Sequence, residues 1–72
     1  MPNETTRKPP KAARAYMEEF GEDEADFREW LLRQKSACEA VKNGDLEWWI
    51  AFKMSCSIAG ARSVIRWAEL DR

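Results

Sequence analysis

"LEWWIAFKMSCSIAGARSVIRWAEL", residues 46–70, decides the fold of this chain. The stretch holds no proline and a single glycine, Gly60. A glycine inside a helix costs about 1 kcal/mol relative to alanine, which the surrounding apolar pattern outweighs. With Asp45 as a capping carboxylate, the spacing predicts one long helix over 45–70. Wound at about 100° per residue from Trp48, it presents two apolar faces. Leu46, Ile50, Met54, Ser57, Ile58, Ala61, Val64, Ile65 and Ala68 fall between roughly 160° and 280°. Trp48, Trp49, Phe52, Cys56, Ala59, Ser63, Trp67 and Leu70 fall between roughly 0° and 100°.

The two faces are nearly opposite, so the helix is expected to lie between two layers. The aliphatic face is expected to build the chain's own core. The aromatic face has small residues in its middle and large ones at both ends. Trp48, Trp49 and Phe52 together offer roughly 450–750 Å², more than a monomer usually leaves open. That suggests a homodimer in which two such helices run antiparallel, with an interface of Trp48, Trp49, Phe52, Cys56, Gly60, Ser63 and Trp67.

Outward from this stretch, the chain reads as two shorter helices. "DFREWLLRQKSACEAV" places Phe27, Trp30, Leu31, Gln34, Ala37, Cys38 and Val41 on one stripe and leaves Leu32 outside it. A helix over about 23–42 follows, its acidic first turn suiting the positive end of the dipole, with Asn43-Gly44 as the stop. Before it, Ala12, Ala13, Tyr16, Met17 and Phe20 form one face of a helix over about 10–20. Pro10 opens that helix and Gly21 closes it. Residues 1–9, "MPNETTRKP", read as a flexible basic arm. The expectation is an all-α, small three-helix domain over 10–72 with a long C-terminal helix.

The composition fits. Seventy-two residues make at most one domain, and a 44% hydrophobic, 35% charged chain is of the globular class. No apolar run reaches membrane-spanning length, and the N-terminus lacks an apolar leader, so a cytoplasmic protein is expected. Cys38 and Cys56 sit inside apolar patterns and read as reduced and buried; a single bridge between helices is the alternative. The net charge of −1 is unevenly spread. Residues 1–14 have four basic side chains against one acidic, residues 15–29 seven acidic against Arg28, and the remainder seven basic against five acidic.

Several chemistries lack their residues. Without histidine there is no usual general base and no common metal ligand. The serines therefore have no triad partner, and no C-x-x-C or glycine-rich phosphate loop occurs. "EDEAD" lacks the spacing of a calcium loop. The expectation is a protein without catalytic residues, metal or cofactor.

What remains is binding. The acidic block Glu18, Glu19, Glu22, Asp23, Glu24 and Asp26 suits docking on a basic surface of another protein, including one that handles nucleic acid. A non-catalytic inhibitor or adaptor is the favoured function. Very small, tryptophan-rich helical proteins of this style occur among phage-encoded inhibitors, anti-CRISPR proteins included, and such a protein would work in the bacterial host cytoplasm. The likeness is one of size and style; no motif carries it. Two alternatives stand beside it. One is a dimeric nucleic-acid-binding regulator using Arg7, Lys8, Lys11 and Arg14, against which the pI of about 5.4 counts. The other is a structural subunit of an assembly.

Overall fold

The computed structural model describes residues 8–41 and 44–71, and these form four helices with no strand. They are α1 (Lys11–Phe20), α2 (Glu24–Ala40), α3 (Leu46–Met54) and α4 (Ile58–Ala68). The all-α class is as expected, but the third expected helix is two. Most of the expected basic arm, Arg7 included, lies outside the described residues.

Helix α1 begins and ends close to its sequence signals and α2 begins close to its own; Asn43 of the expected stop of α2 lies outside the described residues. Pro10 precedes α1 in extended conformation, and the Arg14 N–H donates to its carbonyl at 3.0 Å. Gly21 ends α1 in the left-handed region at φ 64°, which glycine enters without steric cost. The Glu22 N–H then closes the turn onto the Met17 carbonyl at 3.0 Å. Asp23 caps α2, its carboxylate accepting from the Asp26 N–H at 2.9 Å. Phe27, Leu31 and Cys38 are buried along the expected stripe, and Leu32 is exposed as expected. Ala37 and Val41, expected on that stripe, are exposed, although Cys38 between them is buried.

The break in the C-terminal stretch falls at Ser55-Cys56-Ser57. Ser55 takes the left-handed conformation at φ 56°, ψ 46°. The Cys56 N–H donates back to the Ala51 carbonyl at 3.0 Å, closing α3 with the same six-to-one bond that closes α1. Ser57 then starts α4, its hydroxyl accepting from the Gly60 N–H at 3.0 Å. The chain folds back as a helical hairpin. Arg62 Nε and Nη2 each reach a Glu47 carboxylate oxygen at 3.2 Å, whereas a straight helix would set these residues about 22 Å apart.

Folding back changes what is inside. Trp67 and Leu70, assigned by helical phase to an outward aromatic face, are 5% and 3% exposed. Within α4 alone, Trp67, Gly60, Val64, Ala68, Ala61 and Ile65 span one arc of about 160°, an ordinary wide buried face. The core joins Phe27 and Leu31 of α2, Ile50, Ala51 and Met54 of α3, and this face of α4. Burial of each large side chain contributes about 1.5–3 kcal/mol. Ala13 of α1 is fully buried against the same core. The close approach of α1 to α4 depends on Gly60, where an added Cβ would stand 3.3 Å from Cβ of Ala12.

An aromatic cluster ties α1, α2 and α4 together. Tyr16 lies 5.2 Å from Phe27 and 5.0 Å from Trp30, ring centre to ring centre. Phe27 lies 6.2 Å from Trp67, and the Arg28 guanidinium covers Trp67 at 4.1 Å.

Candidate functional site

Helix α3 is short and is pinned on two sides. On one side Glu47 holds Arg62 of α4 through the two-pronged ion pair. That hydrogen bond favours the ionised carboxylate and holds the Glu47 carboxyl below its ordinary value. On the other side the Trp49 indole N–H donates to Oε1 of Gln34 on α2 at 3.0 Å, and the Lys53 ammonium stands 5.3 Å from the Trp49 ring centre. Ile50, Ala51 and Met54 face the core. Asp45 fixes the start of the helix by accepting from the Trp48 N–H at 3.2 Å.

Trp48 and Phe52 remain, one helical turn apart. Their rings stack at 5.4 Å with planes 4° apart, and the residues are 53% and 66% exposed. An (i, i+4) pair naturally meets on a helix surface, but two large rings in water represent an open apolar cost unless something covers them. Among the described residues the other exposed large apolar ones are Phe20, Leu32, Val41 and Ile58. Phe20 leans on Tyr16 at 4.6 Å.

The seven residues of the expected dimer seam are not brought together on one surface. Trp48 and Phe52 are exposed, Trp49 is half-buried towards α2, and Cys56 is half-buried in the turn between α3 and α4. Gly60 lies under α1, Ser63 is exposed on α4, and Trp67 is inside the core.

The acidic block occupies the corner between α1 and α2. Glu18 and Glu19 are exposed in the last turn of α1, and Asp26 is exposed in the first turn of α2. Asp23 is used as the cap, and Glu24 pairs with Arg28 at 3.4 Å. Glu22 is half-buried, with one carboxylate oxygen shut away from water and lacking a hydrogen-bond partner. Burial first, then Glu22 and Glu19, raise the Tyr16 hydroxyl above its ordinary value. The acidic composition of this corner thus has local structural work in Asp23 and Glu24, and a solvated remainder in Glu18, Glu19 and Asp26.

Of the basic residues read as nucleic-acid contacts, Lys8, Lys11 and Arg14 are exposed at the start of the fold. Neither cysteine is bonded, and burial pushes both thiols above their ordinary value, so neither is poised as a thiolate at neutral pH. Among the described residues no three potential metal ligands converge, and no helix is long and apolar enough to cross a membrane.

No protein-family model matches the chain, and neither a curated protein nor a solved structure matches it at a significant level.

Sequence reasoning found the aromatic residues of α3, the start of α2 near Asp23 and the cap at Asp45. It missed the Glu47–Arg62 pair, which the turn at Ser55 brings together, and the Trp49–Gln34 bond, which joins α3 to α2 across the preceding connection. The available signal for that turn was the pair of opposed apolar faces itself, together with Ser57 standing three residues before Gly60.

Proposed function

We propose that this chain is a non-catalytic protein-binding module, an inhibitor or adaptor that docks on a larger protein through the outer face of α3. The observation that carries this reading is the stacked, exposed Trp48–Phe52 pair on a helix held from both sides. Tryptophan is enriched among residues that dominate interface energy, and a rigid aromatic anchor loses little conformational freedom on binding. Glu18, Glu19 and Asp26 at the α1–α2 corner add negative field that favours a basic partner surface and raises its encounter rate. An intracellular inhibitor of the phage-encoded kind remains the closest functional analogy by size and style, with a bacterial host's cytoplasm as its place of action.

The test is capture from a bacterial lysate by the wild-type chain, by Trp48→Ala/Phe52→Ala, and by a charge-reversed Glu18→Lys/Glu19→Lys variant. A protein retained by the wild type and lost by the aromatic double variant supports the reading. Equal recovery on the aromatic variant overturns it. The expected homodimer survives in this reading only as contact through the same two rings. Light scattering at micromolar concentration tests it, since a mass that Trp48→Ala/Phe52→Ala leaves unchanged excludes that contact.

A further inference from the structure

The fold sorts charge in a way that sequence order conceals. Packing α1 on α4 brings together two stretches about fifty residues apart. Residues 8–17 carry Lys8, Lys11 and Arg14; residues 58–68 carry Arg62 and Arg66; neither stretch contains an aspartate or glutamate. All five cations are exposed. Arg62 is engaged by Glu47 on the side towards α3. The next carboxylates along the chain are Glu18 beyond the first stretch and Glu69 and Asp71 beyond the second. A protein of net charge −1 therefore has one flank that is locally basic. Within that flank lies a groove of about 320 Å³, lined by Lys8, Pro10, Ser63, Arg66 and Trp67.

We propose that this groove binds a phosphate group carried on a ring-bearing ligand, that is, a nucleotide. Lys8 and Arg66 both line it, one from the N-terminal segment and one from α4. A dianion between two cations is better matched than a single carboxylate, and the planar guanidinium can engage two phosphate oxygens at once. Ser63 lies one turn before Arg66, hence on the same side of α4, and its hydroxyl supplies a further donor. Pro10 and Trp67 also line the groove and give it apolar wall against which the rest of a nucleotide can lie. The same phosphate chemistry is presented by a free nucleotide and by the end of a nucleic-acid strand. The groove shares no residue with the Trp48–Phe52 face, so the two proposals stand or fall separately.

The test is a proton–nitrogen NMR titration of the whole chain at low ionic strength. Its arms are a nucleoside monophosphate, the parent nucleoside, inorganic phosphate, a 5′-phosphorylated oligonucleotide and a glutamate-rich peptide. The monophosphate is expected to shift the amides of Ser63, Arg66 and Trp67 and the Trp67 indole N–H, and the parent nucleoside to leave them in place. Lys8→Ala and Arg66→Ala should each weaken binding about tenfold, as loss of one charge-assisted hydrogen bond does. Arg66→Lys should retain part of the affinity, and this conservative variant keeps the test valid if Arg66→Ala perturbs the fold. Equal affinity for monophosphate and oligonucleotide makes the free nucleotide the source. A tighter, steeply salt-dependent oligonucleotide makes it a strand. The proposal is overturned if phosphate ligands at millimolar concentration leave these resonances unmoved, if Lys8→Ala and Arg66→Ala bind as the wild type does, or if only the acidic peptide shifts them.

Discussion

Two groups of aromatic rings divide the labour in this small protein. Tyr16, Phe27, Trp30 and Trp67 meet between α1, α2 and α4, with Phe27 fully buried and Trp67 nearly so. Trp48 and Phe52 stack just as closely, yet more than half of each stays in solvent. Ring-to-ring contact is therefore not what separates core from surface here. The difference is what lies on the second side of each ring. Phe27 and Trp67 have neighbours from other helices, and Trp67 has the Arg28 guanidinium above it, whereas Trp48 and Phe52 have each other.

That contrast sets an order of effects. Phe27→Ala and Trp67→Ala remove fully packed rings and should cost about 3–5 kcal/mol. A domain of this length holds roughly 4–11 kcal/mol in all, so either variant should lose most of its cooperative unfolding transition in circular dichroism. Trp48→Ala and Phe52→Ala forfeit a surface pair, and together should cost only about 1 kcal/mol. A loss as large as that of Phe27→Ala would erase the distinction between the two groups.

Smaller effects probe the turns that produce the distinction. Gly60→Leu pushes a side chain into Ala12 and should destabilise by about 1–3 kcal/mol through the α1–α4 contact. Ser57→Ala removes the cap of α4 and should cost about 1 kcal/mol in chemical denaturation. Ser55→Gly relieves a non-glycine residue at positive φ and should stabilise by about 0.5–1 kcal/mol. If Ser55→Gly instead destabilises, the left-handed turn between α3 and α4 is not formed in solution.

The smallest effect concerns pH. Glu47 is held below its ordinary value by the Arg62 hydrogen bond, so its contribution to stability is present above the unfolded value and is lost as pH falls through the lower folded one. A carboxyl-carbon titration should place the Glu47 midpoint below the ordinary glutamate value, and Arg62→Ala should raise it back towards that value. The pair is solvent-exposed, so the change in melting behaviour should be slight.

Much of this was legible in residues 8–45. Gly21, Asp23 and Asp45 each marked a helix end with a residue whose chemistry serves that position. The C-terminal stretch was harder because its turn uses neither glycine nor proline at the left-handed position. Three helices close through a residue of positive φ, yet only Gly21 announces it, while Ser55 and Glu69 adopt the same conformation with a side chain attached. Tertiary packing decides there, since turning at Ser55 returns Trp67 and Leu70 to the core. Read as one helix, the stretch put Trp48 and Trp67 on a common outward face; the turn parts them. Trp48 and Phe52 kept their place in the candidate site, and Gly60 and Trp67 lost theirs. The groove at Lys8 and Arg66 could not be read in advance, because the two segments that line it meet only once α1 lies on α4.

The division between the two aromatic groups is open to one direct reading in solution, the broadening of side-chain ring resonances by a soluble paramagnetic probe. Trp48 and Phe52 should broaden strongly while Phe27 and Trp67 remain sharp. Equal protection of all four rings in the protein alone would show the outer face of α3 already covered, and would contradict its role as a free docking surface.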